Sequence, residues 1–169
     1  MPPLLSTLVL IGATLAMGLT AGLFYGFACA VMPGLRTADD HTFVRAVQRI
    51  NVAILNGWFA LGFAGAPLLI ASAAALHLPG AAPEVSGWIL AALVLDLTVI
   101  VITMRVNVPM NDELAKVACS AGAAELAAAR RRFEARWVRW NGIRAVVSTA
   151  AAACLVIALF RYGGVAVIA

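Results

Sequence analysis

Apolar residues gather in this chain into four long runs, Leu4 to Met32, Val52 to Leu78, Val85 to Met104 and Val138 to Phe160. Each reaches the about 20 helical residues needed to cross a hydrocarbon layer of about 30 Å. Arg139 stands at the very start of the fourth run, and deeper inside the runs only Asp96 and Arg144 carry a full charge. The polar segments between runs predict where helices start and stop. Met32-Pro33-Gly34-Leu35 should end the first helix, since proline and glycine both break it. Thr37 followed three residues later by Asp40 resembles a capping box with Asp in the Glu position. From there Phe43, Val47, Ile50 and Ile54 keep helical spacing and lead into the second run without a breaker, which predicts a helical extension of that span. His77 to Gly87, with two prolines and two glycines, predicts a short turn.

Pro109 predicts that the third helix kinks or ends near Asn107, because it lacks a backbone donor, clashes with the turn before it and disfavours helix at Val108. Glu113 to Arg136 is Ala-rich, holds no proline and is interrupted only by Gly122, which favours helix. Leu126, Phe133, Trp137 and Trp140 share a face of it. With Arg130, Arg131, Arg132, Arg136 and Arg139 they suit a helix skimming an anionic leaflet before turning into the bilayer, unless the arginines serve only to fix topology. The expected architecture is all-α: an integral membrane four-helix bundle forming one domain over residues 1–169. A helical extension precedes the second span and a basic helix precedes the fourth. In the first span Thr14, Gly18, Gly22, Gly26 and Ala30 form a ridge of small residues that reads as packing inside the bundle, with a dimer interface or a cofactor in the groove as alternatives.

Composition agrees: 63% of residues are apolar, 12% are charged, and the mean hydropathy is +0.97, about half the charge of a soluble domain. An isoelectric point near 9.5 would suit a nucleic-acid binder, but the placement of the charges argues otherwise. Of the 12 basic residues all but Arg161 lie in or beside the segments 33–51 and 105–137, which share one side of a four-span topology. By the positive-inside rule that side is cytoplasmic, both termini lie outside, and the membrane is the plasma or inner membrane. The first apolar stretch has no Lys or Arg before Arg36 and is too long for a signal-peptide core, so a retained helix is expected despite the cleavage-like Ala28-Cys29-Ala30.

Projected onto helical faces, Asp96, Thr103 and Asn107 fall close to one stripe, as do Trp137, Asn141, Arg144 and Ser148, while Gln48 and Asn51 are neighbours with Asn56 a turn deeper. Asp96 lies about 13 Å inside Arg105 and Arg144 about 8 Å inside Arg139, at 1.5 Å per residue. An unpaired charge at such depth is costly, so an Asp96–Arg144 ion pair or a water-bridged equivalent is predicted, either as a strut or with Arg144 partly available to an anionic or enolate-like ligand. Other chemistry is pruned. His41 and His77 are predicted on opposite sides of the membrane, and Cys29, Cys119 and Cys154 form no CxxC pair. No phosphate-binding glycine loop, nucleophile elbow or repeated polar stripe appears, and neither a metal nor another cofactor is expected.

Met32-Pro33-Gly34-Leu35, Gln48-Arg-Ile-Asn51, Asn107-Val-Pro109-Met110-Asn111 and Trp137-Val-Arg-Trp140-Asn141-Gly-Ile-Arg144 together resemble the anthrone oxygenase-like family over nearly the whole chain. These are small four-span membrane proteins, many catalogued only as a domain of unknown function. The resemblance implies oxidation of anthrones to anthraquinones by dioxygen, without a metal or flavin. Such a site needs a base, donors for an enolate oxygen and an apolar slot for flat rings. Side-chain chemistry and depth suggest Asp96 or His41 as base, and Asn51, Asn107, Asn141 and Arg144 as donors. Trp137 and Trp140 would be stacking walls, with Gln48, Asn111 and Tyr25 as further substrate contacts. The expected partners are the bilayer and a small hydrophobic aromatic substrate or lipid, with no nucleic acid and with self-association left open. The competing class is non-enzymatic: binding of a lipid or hydrophobic metabolite, or scaffolding of a partner. A ligand site would require an apolar cavity of several hundred Å³ beside Asn107 and Arg144.

Overall fold

A computed structural model of the chain describes residues 3–77, 83–118 and 120–168; Cys119 and most of the turn expected after His77 lie outside them. The described residues are helical, with no strand, and four helical stretches are long and apolar enough to cross a membrane: Leu4–Arg36, Gly57–His77, Pro83–Ala115 and Ala123–Gly163. They form a bundle in which α8 (Ala123–Ile168) packs along both α6 (Pro83–Ile102) and α1 (Pro3–Gly26), and α1 also meets α5 (Gly65–His77). Where lipid surrounds the bundle there is no hydrophobic drive between helices, so close packing carries the association. The shared core is accordingly rich in small residues, with Ala13, Ala66, Ala73, Ala92, Ala151 and Ala158 fully buried among Leu10, Met17, Ile70, Ile89 and Leu155.

Neither proline breaks its helix at once: the first helical stretch ends at Arg36, one residue past the Met32–Leu35 string, and the third continues through Asn107 to Ala115. α1 runs through a π-helical turn, Phe27–Val31, into α2 (Met32–Arg36), and α6 runs through another, Thr103–Asn107, into α7 (Val108–Ala115). Each turn is closed by a wide bond from five residues on: Met32 N–H donates to the Phe27 carbonyl and Val108 N–H to the Thr103 carbonyl. Pro33 and Pro109 both follow immediately, at the second residue of the renewed helix. A π turn already displaces the ordinary i→i−4 ladder at the point where proline would clash with it, so the helix continues past each proline, and the irregularity expected near Asn107 is a π turn and not an end.

The helix α3 (Asp40–Ala53) is capped not by Thr37 but by Asp39, whose carboxylate accepts from the Thr42 amide at 2.9 Å and the Thr42 hydroxyl at 2.7 Å. Those bonds, the amide foremost, hold the Asp39 carboxyl below its usual 3.8. Thr37 instead returns its hydroxyl to the Gly34 carbonyl at 2.8 Å. Nor does α3 pass unbroken into the second span. Asn56, in an extended conformation, donates to the Ala53 carbonyl at 2.8 Å and accepts from the Phe59 amide at 3.0 Å. One side chain thus closes α3 and opens α4 (Gly57–Phe63), which leads through Ala64 into α5. Apolar periodicity does not reveal a cap of this kind.

Two further expectations change. The ridge of small residues on α1 points away from the bundle: a Cβ added at Gly18, Gly22 or Gly26 would meet no atom within 4 Å. The inward face is Leu10, Ala13, Met17 and Phe24, whose larger side chains win the core. And α8 does not lie flat before turning inward. It is one helix of 46 residues, about 69 Å at 1.5 Å per residue. Its Leu126, Ala129, Phe133 and Trp137 are buried against Phe43, Val44 and Val47 of α3 and Leu114 of α7. The face expected to meet lipid head groups is a second core. Arg130 closes it, donating to the carbonyls of Arg36 (2.9 Å) and Ala38 (2.8 Å), pairing with Asp40 (3.1 Å) and Glu134 (2.7 Å), and lying over the Phe43 ring.

Candidate functional site

A cavity of about 440 Å³ opens where α1, α3, α4, α7 and α8 converge, and both polar strings of the sequence reach it. Its apolar walls mix aliphatic side chains, Leu23, Val52, Ile54, Leu55, Met104 and Val108 among them, with five aromatic ones. Phe24 and Phe27 come from the first span, Phe59 and Phe63 from α4, and Trp137 from α8. Phe59 and Phe63 stack at 5.1 Å, Phe63 meets Phe24 edge-on at 6.3 Å, and Trp137 packs on Phe27 at 5.7 Å. Flat rings already arranged in contact make a slot suited to another flat ring.

The polar end is built around Arg144, 5% exposed. One guanidinium nitrogen donates to Thr103 Oγ1 at 3.2 Å and another to Asn141 Oδ1 at 2.9 Å. Asn141 is held in turn, its Nδ2 donating to the Phe24 carbonyl at 3.0 Å. The guanidinium lies 4.2 Å from the Phe24 ring centre and 5.7 Å from that of Trp137, in the range where cation–π attraction operates. On the other side, Trp137 Nε1 donates to Asn111 Oδ1 at 2.9 Å and ties α8 to α7. Arginine, tryptophan and two asparagines are therefore fixed in place by one another.

Asn107 is the exception. It is 1% exposed and lines the cavity, yet neither its Nδ2 nor its Oδ1 has a protein partner, and the same holds for Arg144 Nε. A buried polar group without a partner costs about 1–3 kcal/mol. Asn107 is the last residue of the π turn that precedes Pro109, and such turns recur at functional sites. Asn51 also lines the cavity, half-buried and without a protein hydrogen bond.

Several expected contacts are not brought here. The Asp96–Arg144 ion pair does not form: Arg144 takes Thr103 and Asn141, and Thr103 lies seven residues, about 10 Å, along the helix from Asp96. Asp96 is 1% exposed with its Oδ2 unpartnered, and it lies off the cavity wall. His41 is exposed at the start of α3, Tyr25 is 62% exposed on the outside of α1, and Trp140 is half-buried off the wall. Gln48 does touch the cavity, but its amide donates to the carbonyls of Leu114 (2.8 Å) and Val117 (3.1 Å), closing the end of α7. Arg45 joins it there, bonding Gln48 Oε1, Val117 O and Ala118 O. Conversely, Phe24, Phe27, Phe59, Phe63 and Asp112 were not foreseen as lining residues. Aromatics four residues apart directly after the Asn56 cap were the available signal for Phe59 and Phe63. Asp112 is the one acidic side chain on the wall.

The family model described as anthrone oxygenase matches residues 56–154. The match contains Asn107, Asn111, Trp137, Asn141 and Arg144, and leaves outside it the first span and the Gln48–Asn51 turn that the fuller resemblance included. No curated protein and no solved structure matches the chain. Because the match spans more than half of the residues, and includes those that form the polar end of the cavity, the chain belongs to the anthrone oxygenase-like family.

Proposed function

We propose that the protein oxidises a flat, hydrophobic anthrone-like ketone with dioxygen, and that the aromatic cavity is where it does so. The observation that carries this reading is Asn107: an almost fully buried amide with both polar atoms unpartnered, at the polar end of a largely apolar slot that holds five aromatic rings. Oriented donors waiting for an oxygen that gains negative charge stabilise an enolate before any proton has moved. Asn107 Nδ2 and Arg144 Nε would take the ketone oxygen, and the rings would lie against Phe59, Phe63 and Trp137. Asp112, on the same wall and five residues from Asn107, about 7.5 Å along the helix, would accept the proton from the ring methylene carbon.

The resulting electron-rich carbon adds dioxygen to give a hydroperoxide. Loss of the second hydrogen as a proton, with cleavage of the O–O bond, leaves a carbonyl and water. The methylene is oxidised by four electrons, one oxygen atom enters the product and the other leaves as water. On the positive-inside argument the cavity opens at the cytoplasmic end, which a C-terminal alkaline phosphatase fusion tests by being active only if that terminus lies outside. The chemistry is tested by incubating purified protein with anthrone in aerated detergent. Quinone should form faster than in the protein-free blank, and the excess should disappear in Asn107→Leu; a rate equal to the blank overturns the assignment.

A further inference from the structure

The Thr103–Asn107 π turn and α7 together form a partition with a cavity on each side. Asn107, Val108, Asn111 and Asp112 face the aromatic slot, while Arg105, Val106, Pro109, Met110 and Glu113 line a second cavity of about 310 Å³ closed by α8. Its rim holds three guanidinium groups, Arg105 from the π turn and Arg132 and Arg136 from α8. All three are exposed, and among the described residues none has an ion-pair or hydrogen-bond partner. Of the other arginines nearby, Arg130 and Arg45 are engaged, each holding helix ends together, while Arg131 lies outside the cavity. The one acidic side chain in the rim, Glu113, pairs with Lys116. The floor is apolar, made by Met110, Leu114 and Phe133.

Arg105 is the first charge after the apolar run of α6, and Arg132 and Arg136 come just before that of α8. The cavity therefore sits at the depth of lipid head groups, where a basic rim attracts anionic phosphate and an apolar floor accepts the start of a chain. The geometry points to a specific site for one anionic phospholipid between α7 and α8, its phosphate held by Arg105, Arg132 and Arg136 and its glycerol and upper acyl carbons against Met110, Leu114 and Phe133. A free phosphate would use the rim and leave the floor without a partner.

The full-length protein, purified in neutral detergent, is offered an equal mixture of dioleoylphosphatidylglycerol and dioleoylphosphatidylcholine, and bound lipid is counted by native mass spectrometry. One phosphatidylglycerol should be retained in preference to phosphatidylcholine. Arg132→Gln and Arg136→Gln should each weaken it about fivefold, the worth of one basic residue at a membrane surface. Arg131→Gln removes the same charge from the same turn but from outside the cavity, so without direct contact to the phosphate its effect should be clearly smaller than that of Arg132→Gln. The exposed arginines leave the fold intact when replaced, which an unchanged thermal midpoint verifies. Equal retention of the two lipids, an Arg131→Gln effect as large as that of Arg132→Gln, or displacement of the lipid by millimolar inorganic phosphate would each overturn the site.

Discussion

Replacing Asn107 by leucine should make the protein more stable while removing its ligand binding, a combination that a structural asparagine cannot give. Both polar atoms of Asn107 are buried without protein partners, and each such group costs about 1–3 kcal/mol relative to a satisfied or apolar one. Leucine has the same branched outline, needs no partner and can place its extra volume in the adjoining cavity, so the gross relief is about 2–6 kcal/mol. Water entering the cavity recovers part of that cost in the native protein, which leaves an expected gain of about 1–3 kcal/mol. For a chain of this length, about 2–4 °C accompany each kcal/mol, so the midpoint of thermal unfolding in detergent should rise several degrees. The control is the same change one turn on. Asn111 accepts the Trp137 indole hydrogen at 2.9 Å, and Asn111→Leu leaves that donor stranded, lowering stability by about 1–3 kcal/mol. Far-UV circular dichroism melts of the two variants should move in opposite directions. If Asn107→Leu melts below the native protein, the amide is already satisfied, and the case for a ligand-awaiting donor falls.

Three other outcomes test separate links. Arg144→Lys keeps the charge but loses the fork that reaches Thr103 and Asn141 together; anthrone binding, followed by quenching of tryptophan fluorescence, should weaken at least about tenfold, the equivalent of about 1.4 kcal/mol. Pro109→Ala should change stability by less than about 1 kcal/mol, because the π turn already accommodates the ring; a gain near the about 3 kcal/mol charged to a helix-interior proline would show strain at this site instead. Gly22→Ala should stabilise by up to about 1 kcal/mol, since the added methyl enters open space on a helix. A loss on melting, or a change in oligomer size by light scattering, would mean that the ridge is packed against another chain.

The four spans were legible because membrane length is a local property: about 20 apolar residues can do little else. That Asn107, Asn141, Arg144 and Trp137 would meet was legible for a related reason, since helical projection and depth are both counted in residues. What escaped was competition between partners. Arg144 could reach toward Asp96 or toward Thr103 and Asn141, and residue counting has no means of ranking a neutral hydroxyl and amide above a carboxylate. Asn56 reads as one more polar residue on a face until its backbone turns extended and its amide ends one helix and caps the start of the next. The prolines misled for the opposite reason. Their local rule is strong, but a π turn placed just ahead of each removes the clash on which the rule depends. Leu126, Phe133 and Trp137 do share a buried face, which Trp140 does not join, and whether such a face meets lipid or Phe43 is decided by a helix about ninety residues away in the chain.

Oxygen transfer to an anthrone in the cavity beside Asn107 and Arg144 can be followed atom by atom. The most direct measurement is quinone formation from anthrone under isotopically labelled dioxygen, followed by mass spectrometry with the native protein, Asn107→Leu and a protein-free blank side by side. One labelled oxygen should enter each quinone, at a rate that rises in proportion to native protein and falls to the blank in the variant. A rate independent of protein concentration, or equal in the native protein and Asn107→Leu, would contradict it.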